Sequence, residues 1–424
     1  MTIWTNWSGM QKARPDRVVS IQDENQLADL LRDSDGPIRA IGSGHSFSPL
    51  AVTYGTMLQL DGITGVQPVP GRNDAVQVGA GMVLRDMTAA MHDMGHALAN
   101  MGDVDGQRLG GALATATHGT GAAFPCYSGM LDALRLIDTQ GQAHDLTRAS
   151  DEALFRAMAV SLGTGGIVTQ ATLHTVTPYR LARRRFVIGL GDLLDDFDAR
   201  MTSARNTEFY YIPHSGMALG LESLASDMAL VARPRDRDET GLRQLRMMAR
   251  MMGWTPRFRN WLTGVLLRSH AEERFTEDWH RAYPTSRDGM RFNESEWHVP
   301  VEVGAEVLTE VVRVIETSFP NIYFPMEIRT VAADDLFLSP FYGRESVSIA
   351  VHHEAGQDFQ PLLDAIQPIF LAYDGRPHWG KLHNLTAGDL RSLYPHWDTA
   401  IEARRHLDPQ GKLLTPYMRR LLGL

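Results

Sequence analysis

Residues Arg39–Ser48 read RAIGSGHSFS, where a short apolar strand, residues 38 to 41, runs into Gly42-Ser43-Gly44 and then His45. A Gly-x-Gly turn after a strand presents bare backbone amides, which suits an anion such as a pyrophosphate. A nicotinamide fingerprint would need a third glycine at position 47 and a helix beginning there. Position 47 is Phe, and Pro49 would interrupt the first turn, although Asp61 lies near the spacing for a ribose contact. Alone, such a turn is more often merely structural. Two more follow: Gly110–Gly121 (GGALATATHGTG), which alternates small residues and hydroxyls, and Ser161–Val168 (SLGTGGIV). The last is no P-loop, because no Gly-Lys-Ser/Thr follows it. Three such loops in one 130-residue stretch point to a large phosphate-bearing ligand lying across them.

The rest of the chain bounds what that ligand serves. Of 424 residues, 43% are hydrophobic and 21% charged. That length predicts two or three domains, and the apolar share excludes disorder. A formal charge of −9 argues against a general nucleic-acid binder, whose affinity comes from neutralising phosphates. The single cysteine, Cys126, excludes an intrachain disulfide and a cysteine zinc site. No apolar run approaches the ~20 residues of a membrane helix. Residues 1 to 11 lack the charged start and apolar stretch of a signal peptide. The expectation is a soluble, cytoplasmic protein without nucleic-acid or membrane partners.

Periodicity predicts the elements around the loops. Gln22 to Arg32 spaces Leu27, Leu30 and Leu31 as an amphipathic helix, Ala75 to Gly81 alternates as a half-buried strand, and Val83 to His92 is a helix closed by Gly95. Arg135 to Asp138 with Gly141 reads as a hairpin, and Glu152 to Val160 as a helix. The composition changes near residues 178 to 185. The division expected is 1–180, 181–375, and a segment 376–424 that returns to the first domain.

The later part carries a second kind of chemistry. In Ile322 to Arg329, strand alternation puts Ile322, Phe324, Met326 and Ile328 on one face and Tyr323, Glu327 and Arg329 on the other. A carboxylate and a guanidinium two residues apart can both point at one ligand; a cross-strand salt bridge is the plainer alternative. Ser346 to His352 alternates likewise, so Ser348 and His352 would flank the same pocket. His352, His353 and Glu354 fit no zinc spacing, and no metal is expected. Arg376–Lys381 (RPHWGK) sets Lys381 on a rigid turn, able to deliver an ammonium to a ligand oxygen. Arg246 to Arg268 holds five arginines and no acid among Trp254, Phe258, Trp261 and several leucines. A membrane-surface or electron-acceptor docking helix is one reading, but a cap-domain helix pair broken at Gly253 and Pro256, with a solvated basic face, is expected there.

Taken together, GSGHS, ATATHGTG and LGTGGIV resemble the flavin-binding domain of the vanillyl-alcohol-oxidase superfamily. RFNESEWHVP (Arg291–Pro300), PMEIRT (Pro325–Thr330) and RPHWGK are similar to its aldonolactone oxidase and dehydrogenase branch, with alditol oxidases as near relatives. The resemblance implies an α+β chain: a two-subdomain FAD-binding domain plus an α+β substrate or cap domain with an antiparallel sheet. It implies FAD, linked covalently through His45, with Gly42, Ser43, Gly44 and Ser46 around the pyrophosphate beside Thr115, Thr117, His118 and Gly121. Gly102 and Asp103 would lie on the flavin side, Ile167 and Val168 against the adenine half, and His378 near the flavin ring. Cys126 falls past the second loop, so a second, cysteine-based link is not expected. A neutral imidazole is a good nucleophile near neutral pH, and such a tether would retain the cofactor and raise its potential. The implied reaction is oxidation of the C2 hydroxyl of a sugar-1,4-lactone to an ascorbate-type product, with Glu327, Arg329 and Lys381 as catalytic residues and oxygen or another acceptor taking the electrons. An alditol oxidase is the alternative.

Overall fold

The computed structural model describes residues 3–233, 238–251, 255–269, 271–284 and 290–424. The strand Ile38–Ala40 lies at the edge of a three-stranded parallel sheet, beside Thr56–Gln59 and then Arg17–Ser20. The helix Glu24–Asp33 is started by Asp23, which accepts from the Gln26 amide, and it buries Leu27 and Leu31. A five-stranded antiparallel sheet follows in the order Val66–Pro68, Ala75–Gly79, Ile167–His174, Leu131–Ile137, Ala143–Thr147. The expected hairpin is its last pair, turning through Gly141 at φ +79°. The expected helices are Leu84–Asp93 and Glu152–Met158.

The second half of the chain builds one eight-stranded antiparallel sheet. Its order is Glu273–Asp278, Arg180–Gly189, Met217–Ser226, Asn206–Ile212, Met326–Val331, Ser346–Glu354, Phe292–Pro300, Arg376–Pro377. The mixture of helices with mostly antiparallel sheets is the α+β class expected. Two local expectations need correction. The strand at Met326–Val331 starts after Pro325, so Tyr323 does not share a face with Glu327 and Arg329. Its hydroxyl donates instead to Glu354, at 2.8 Å. The arginine-rich segment is indeed two helices, Asp238–Met251 and Pro256–Arg268, with Gly253 and Trp254 outside the described residues. However, the outward face of the second helix is mainly apolar: Phe258, Trp261, Val265 and Leu266 are exposed while Arg259 is buried.

One buried side chain ties the loops to the rest. Arg39 donates to Leu162 O (2.7 Å), Gly163 O (2.8 Å), Leu50 O (2.9 Å) and Leu413 O (3.1 Å). It therefore locks the third glycine loop and the C-terminal segment onto the first strand, and burial lowers its pKa to about 10. Nearby, Phe47 N donates to Gly380 O at 2.6 Å and Ser48 Oγ to Trp379 O at 2.9 Å, holding the RPHWGK turn against the first loop. Arg39→Leu, which strands four carbonyls, is expected to destabilise the chain by about 3 kcal/mol or more in urea unfolding. A midpoint indistinguishable from wild type would show that water satisfies those carbonyls.

Candidate active site

The three glycine loops line one cleft. Its walls come from residues 39–46, from the helix Leu109–Ala114 with Thr115, and from residues 161–163 and 166–168. Gly44 adopts φ +73°, and a Cβ there would crowd the Trp4 ring at 3.3 Å, so the turn depends on glycine. A Cβ at Gly111 would meet nothing within 4 Å, so this wall has room for a ligand at close range to the backbone. A long cleft of main-chain amides, glycines and hydroxyls fits a dinucleotide with a pyrophosphate.

A second cavity opens at the end where His45, Ser46, Gln107 and Thr115 line both. Its remaining walls are Gly102–Val104, Thr117, His118, His378, Gly380, and a charged set: Glu294, Glu296, Glu327, Arg329 and Lys381. The eight-stranded sheet supplies most of these through register. Tyr210, Glu327, Ala350 and Glu296 stand side by side across four strands, and in the next row Arg329 faces Ser348 and then His298. Ala350 has no bulk, so Glu327 and Glu296 lie either side of a gap that Arg329 fills.

The charges in this cavity form one buried array. Arg329 reaches Glu296 Oε1 at 2.5 Å and Glu327 Oε2 at 3.4 Å. Lys381 Nζ lies 2.6 Å from Glu294 and 3.8 Å from Glu296. Ser348 Oγ donates to Glu296 Oε1 at 2.6 Å, His118 Nε2 lies 3.1 Å from the same oxygen, and Tyr210 donates to Glu327 Oε1 at 2.8 Å. Burial works against ionising Glu294 and Glu296, yet Lys381 and His352 around the first, and Arg329, His118 and Lys381 around the second, hold both well below the usual carboxylate range. Burial likewise opposes the charge on Arg329, but Glu327 and Glu296 overcome it and raise its pKa. Glu208, on the same face as Tyr210, is pushed up to about 7 by burial and by Glu327 and Asp103, against the pull of Arg183.

The structure brings Glu327, Arg329 and Lys381 together, with His45, Gly102, Asp103 and His378 around them. Gly42, Ser43, Gly44, Ile167 and Val168 line the dinucleotide cleft, and Thr115 and Ser46 line both cavities. The second loop divides differently from the expectation. Thr117 and His118 face the charged cavity only, because His118 Nδ1 on Gly119 O turns the other nitrogen toward Glu296. Gly121 lines neither: its amide donates to Thr330 O, and at φ +133° it is squeezed between Phe124 and Arg205 O. Cys126 is buried against Asp334, away from both cavities. Sequence reasoning gave no role to Glu294, Glu296, Glu208 or Tyr210. The alternation in FNESEWHVP carried a signal, since Glu294, Glu296 and His298 share a face. Among the described residues two groups, His118/Glu296/His378 and Glu294/Glu327/His352, could each bring three ligand atoms within 4.8 Å of one another. In both, the carboxylates already carry Arg329, Lys381 or Tyr210.

Comparison with known proteins bears on this geometry. A family profile described as D-arabinono-1,4-lactone oxidase matches residues 171–421, and one described as FAD binding domain matches residues 15–147. The chain is 35% identical to an L-gulono-1,4-lactone dehydrogenase of Mycobacterium tuberculosis over 99% of both chains. It is 26% identical to an L-gulonolactone oxidase of Mus musculus over 98% of this chain and 97% of that one. Among solved structures it resembles a solvent-stable cholesterol oxidase with a TM-score of 0.83 at 16% identity, covering 100% of this chain and 97% of that one. The last likeness speaks to the fold, the FAD-binding fold of the vanillyl-alcohol-oxidase type.

The buried histidines give the fold a pH dependence. Burial holds His298 well below its ordinary 6.5, His378 at about 3 and His383 at about 4. An unfolded chain takes up protons below pH 6.5 that these sites refuse, so their stabilisation is complete above 6.5 and is lost as pH falls. Burial lowers His214, His280 and His353 as well, while Glu208 at about 7, Asp334 at about 6 and Glu277 work in the opposite sense but are fewer. The melting temperature is expected to fall between pH 6.5 and 4.5, with a shallower slope in His298→Phe, whose ring packs on Phe341 at 4.6 Å. An identical slope in that variant would remove His298 from the account.

Proposed function

The chain belongs to the D-arabinono-1,4-lactone oxidase family of flavin-dependent oxidoreductases, and on that premise we propose that it oxidises the C2 hydroxyl of a sugar-1,4-lactone. The product would be a 2-keto lactone that enolises to an ascorbate-type enediol. Bound FAD supplies the two-electron acceptor for the hydride that leaves C2. The observation that carries the reading is the array Glu327–Arg329–Glu296–Lys381–Glu294, buried at the mouth of the dinucleotide cleft.

Each residue has a task in that reaction. Glu294 and Glu296 are pinned as ionised, weakly basic carboxylates, so their work is to hold Lys381 and Arg329 in place. Glu327, steadied by Tyr210 and Arg329, is the carboxylate that accepts the C2 hydroxyl's hydrogen bond and takes its proton. Arg329 and Lys381 stabilise the alkoxide that develops at the C2 oxygen as its proton is taken. Four carboxylates, counting Asp103, against two cations leave the lining formally anionic. A neutral lactone is therefore preferred over its hydrolysed aldonate anion. His45, where the two cavities meet, is the residue we assign to a covalent link with FAD. Gly42, Ser43, Gly44 and Ser46 would hold the pyrophosphate, and Ile167 and Val168 the adenine half.

Anaerobic mixing with L-gulono-, L-galactono- or D-arabinono-1,4-lactone is expected to bleach the visible flavin band, and the corresponding aldonates are expected not to. Polyols that bleach it as fast as lactones would move the assignment to alditol oxidation. Admitting air afterwards separates oxygen from another acceptor. Glu327→Gln and Lys381→Met are expected to stay yellow but lose roughly 10²-fold or more in turnover; normal rates in both would reject these roles. His45→Ala is expected to release its flavin on acid denaturation, whereas flavin still attached would refute the linkage.

A further inference from the structure

The helix Pro256–Arg268 is inverted. Phe258, Trp261, Leu262, Val265 and Leu266 fall on one stripe at positions three and four apart, the spacing of a core-facing face. That stripe faces out: Phe258 is 53% exposed, Trp261 61% and Leu266 52%. The opposite, polar side is the one docked on the protein. Arg259 is buried and donates to Pro320 O, Thr263 is buried, and at Gly264 a Cβ would come within 2.9 Å of Ser215 O. The helix is therefore seated by polar contacts and close backbone approach, and Phe258, Trp261, Val265 and Leu266 stay exposed among the described residues. Phe258 and Trp261 stack on each other at 5.7 Å. Met247 and Met251 on the neighbouring helix Asp238–Met251 are exposed too.

Charge selects the occupant. Between residues 240 and 269 there are six arginines and no acid or lysine, in a chain whose net charge is −9. Arg243, Arg250 and Arg268 are exposed on the same two helices, Arg250 with an ion pair to Glu354. A second copy meeting this face across a two-fold axis would set arginines against arginines. Aromatic and aliphatic side chains flanked by arginines match a bilayer surface with anionic headgroups, where the rings enter the interface and the guanidiniums meet phosphates. No helix among the described residues is long and apolar enough to cross a membrane, so the contact would be peripheral. We propose that the helix pair 238–268 docks the enzyme on the surface of an anionic lipid bilayer through the outward stripe Phe258–Trp261–Val265–Leu266.

The test uses the flavin-loaded, full-length protein and sedimentation with vesicles of 7:3 phosphatidylcholine:phosphatidylglycerol or of phosphatidylcholine alone. Binding is expected to be at least about tenfold stronger to the anionic vesicles and to weaken as salt is raised. Phe258→Ser/Trp261→Ser is expected to lower the partition coefficient at least about tenfold, and Arg243→Ser/Arg268→Ser to remove the preference for phosphatidylglycerol. Both double variants should keep wild-type flavin absorbance and lactone turnover, since these positions lie outside the site. Failure of the wild type to sediment with either vesicle, or undiminished binding by Phe258→Ser/Trp261→Ser, overturns the proposal. So does a dimer seen by light scattering that this variant abolishes, which would assign the stripe to a second copy.

Discussion

Arg329 and Lys381 sit in a cavity that would be prohibitively costly for two isolated cations, and Glu294, Glu296 and Glu327 would be as costly there without them. The array is tolerated because each charge has a partner within a few ångströms and Tyr210 and Ser348 occupy further oxygens. Much of the second half of the chain can be understood as the scaffold for that condition. An antiparallel register lines up Tyr210, Glu327, Ala350 and Glu296, and the RPHWGK turn delivers Lys381 from the end of the chain.

The same constraint divides labour among similar groups. Glutamates on one face of the sheet do not titrate alike, because each faces different neighbours. Glu294 and Glu296 are held ionised by cations, while Glu208, on the same sheet face, is pushed up to about 7 by burial and by acids near it. Burial lowers the pKa of His298 and His378, so these two imidazoles add no positive charge beside the array near neutral pH. The site thus combines fixed charges with a dry surround, the condition under which electrostatic stabilisation of a developing oxyanion is strongest.

The first glycine loop couples the dinucleotide cleft to the charged cavity. Arg39 holds two loops and the C-terminal segment by main-chain carbonyls, and Phe47 and Ser48 bind the turn that carries Lys381. The first glycine loop therefore positions the turn that carries Lys381 as well as lining the cleft. On the far side, the helix pair at 238–268 is attached to the sheet by ion pairs from Arg246 and Arg250 to Glu354.

Local chemistry was legible without coordinates wherever it depended on spacing alone. The glycine loops, the helices at Glu24–Asp33 and Leu84–Asp93, the 131–147 hairpin, and the pairing of Glu327 with Arg329 all follow from periods of two or 3.6 residues and from what glycine and proline permit. Contacts between distant segments were not legible, because they depend on strand order and register that no local pattern encodes. Thus Glu296 became Arg329's closest partner only once the strand at 346–354 stood between theirs with Ala350 in the gap. Gly121 left the site because its φ of +133° serves a tight packing against Phe124 rather than a ligand. The stripe Phe258–Leu266 was visible as a helical period, but which way it faced was decided by where Arg259 and Gly264 found room to dock.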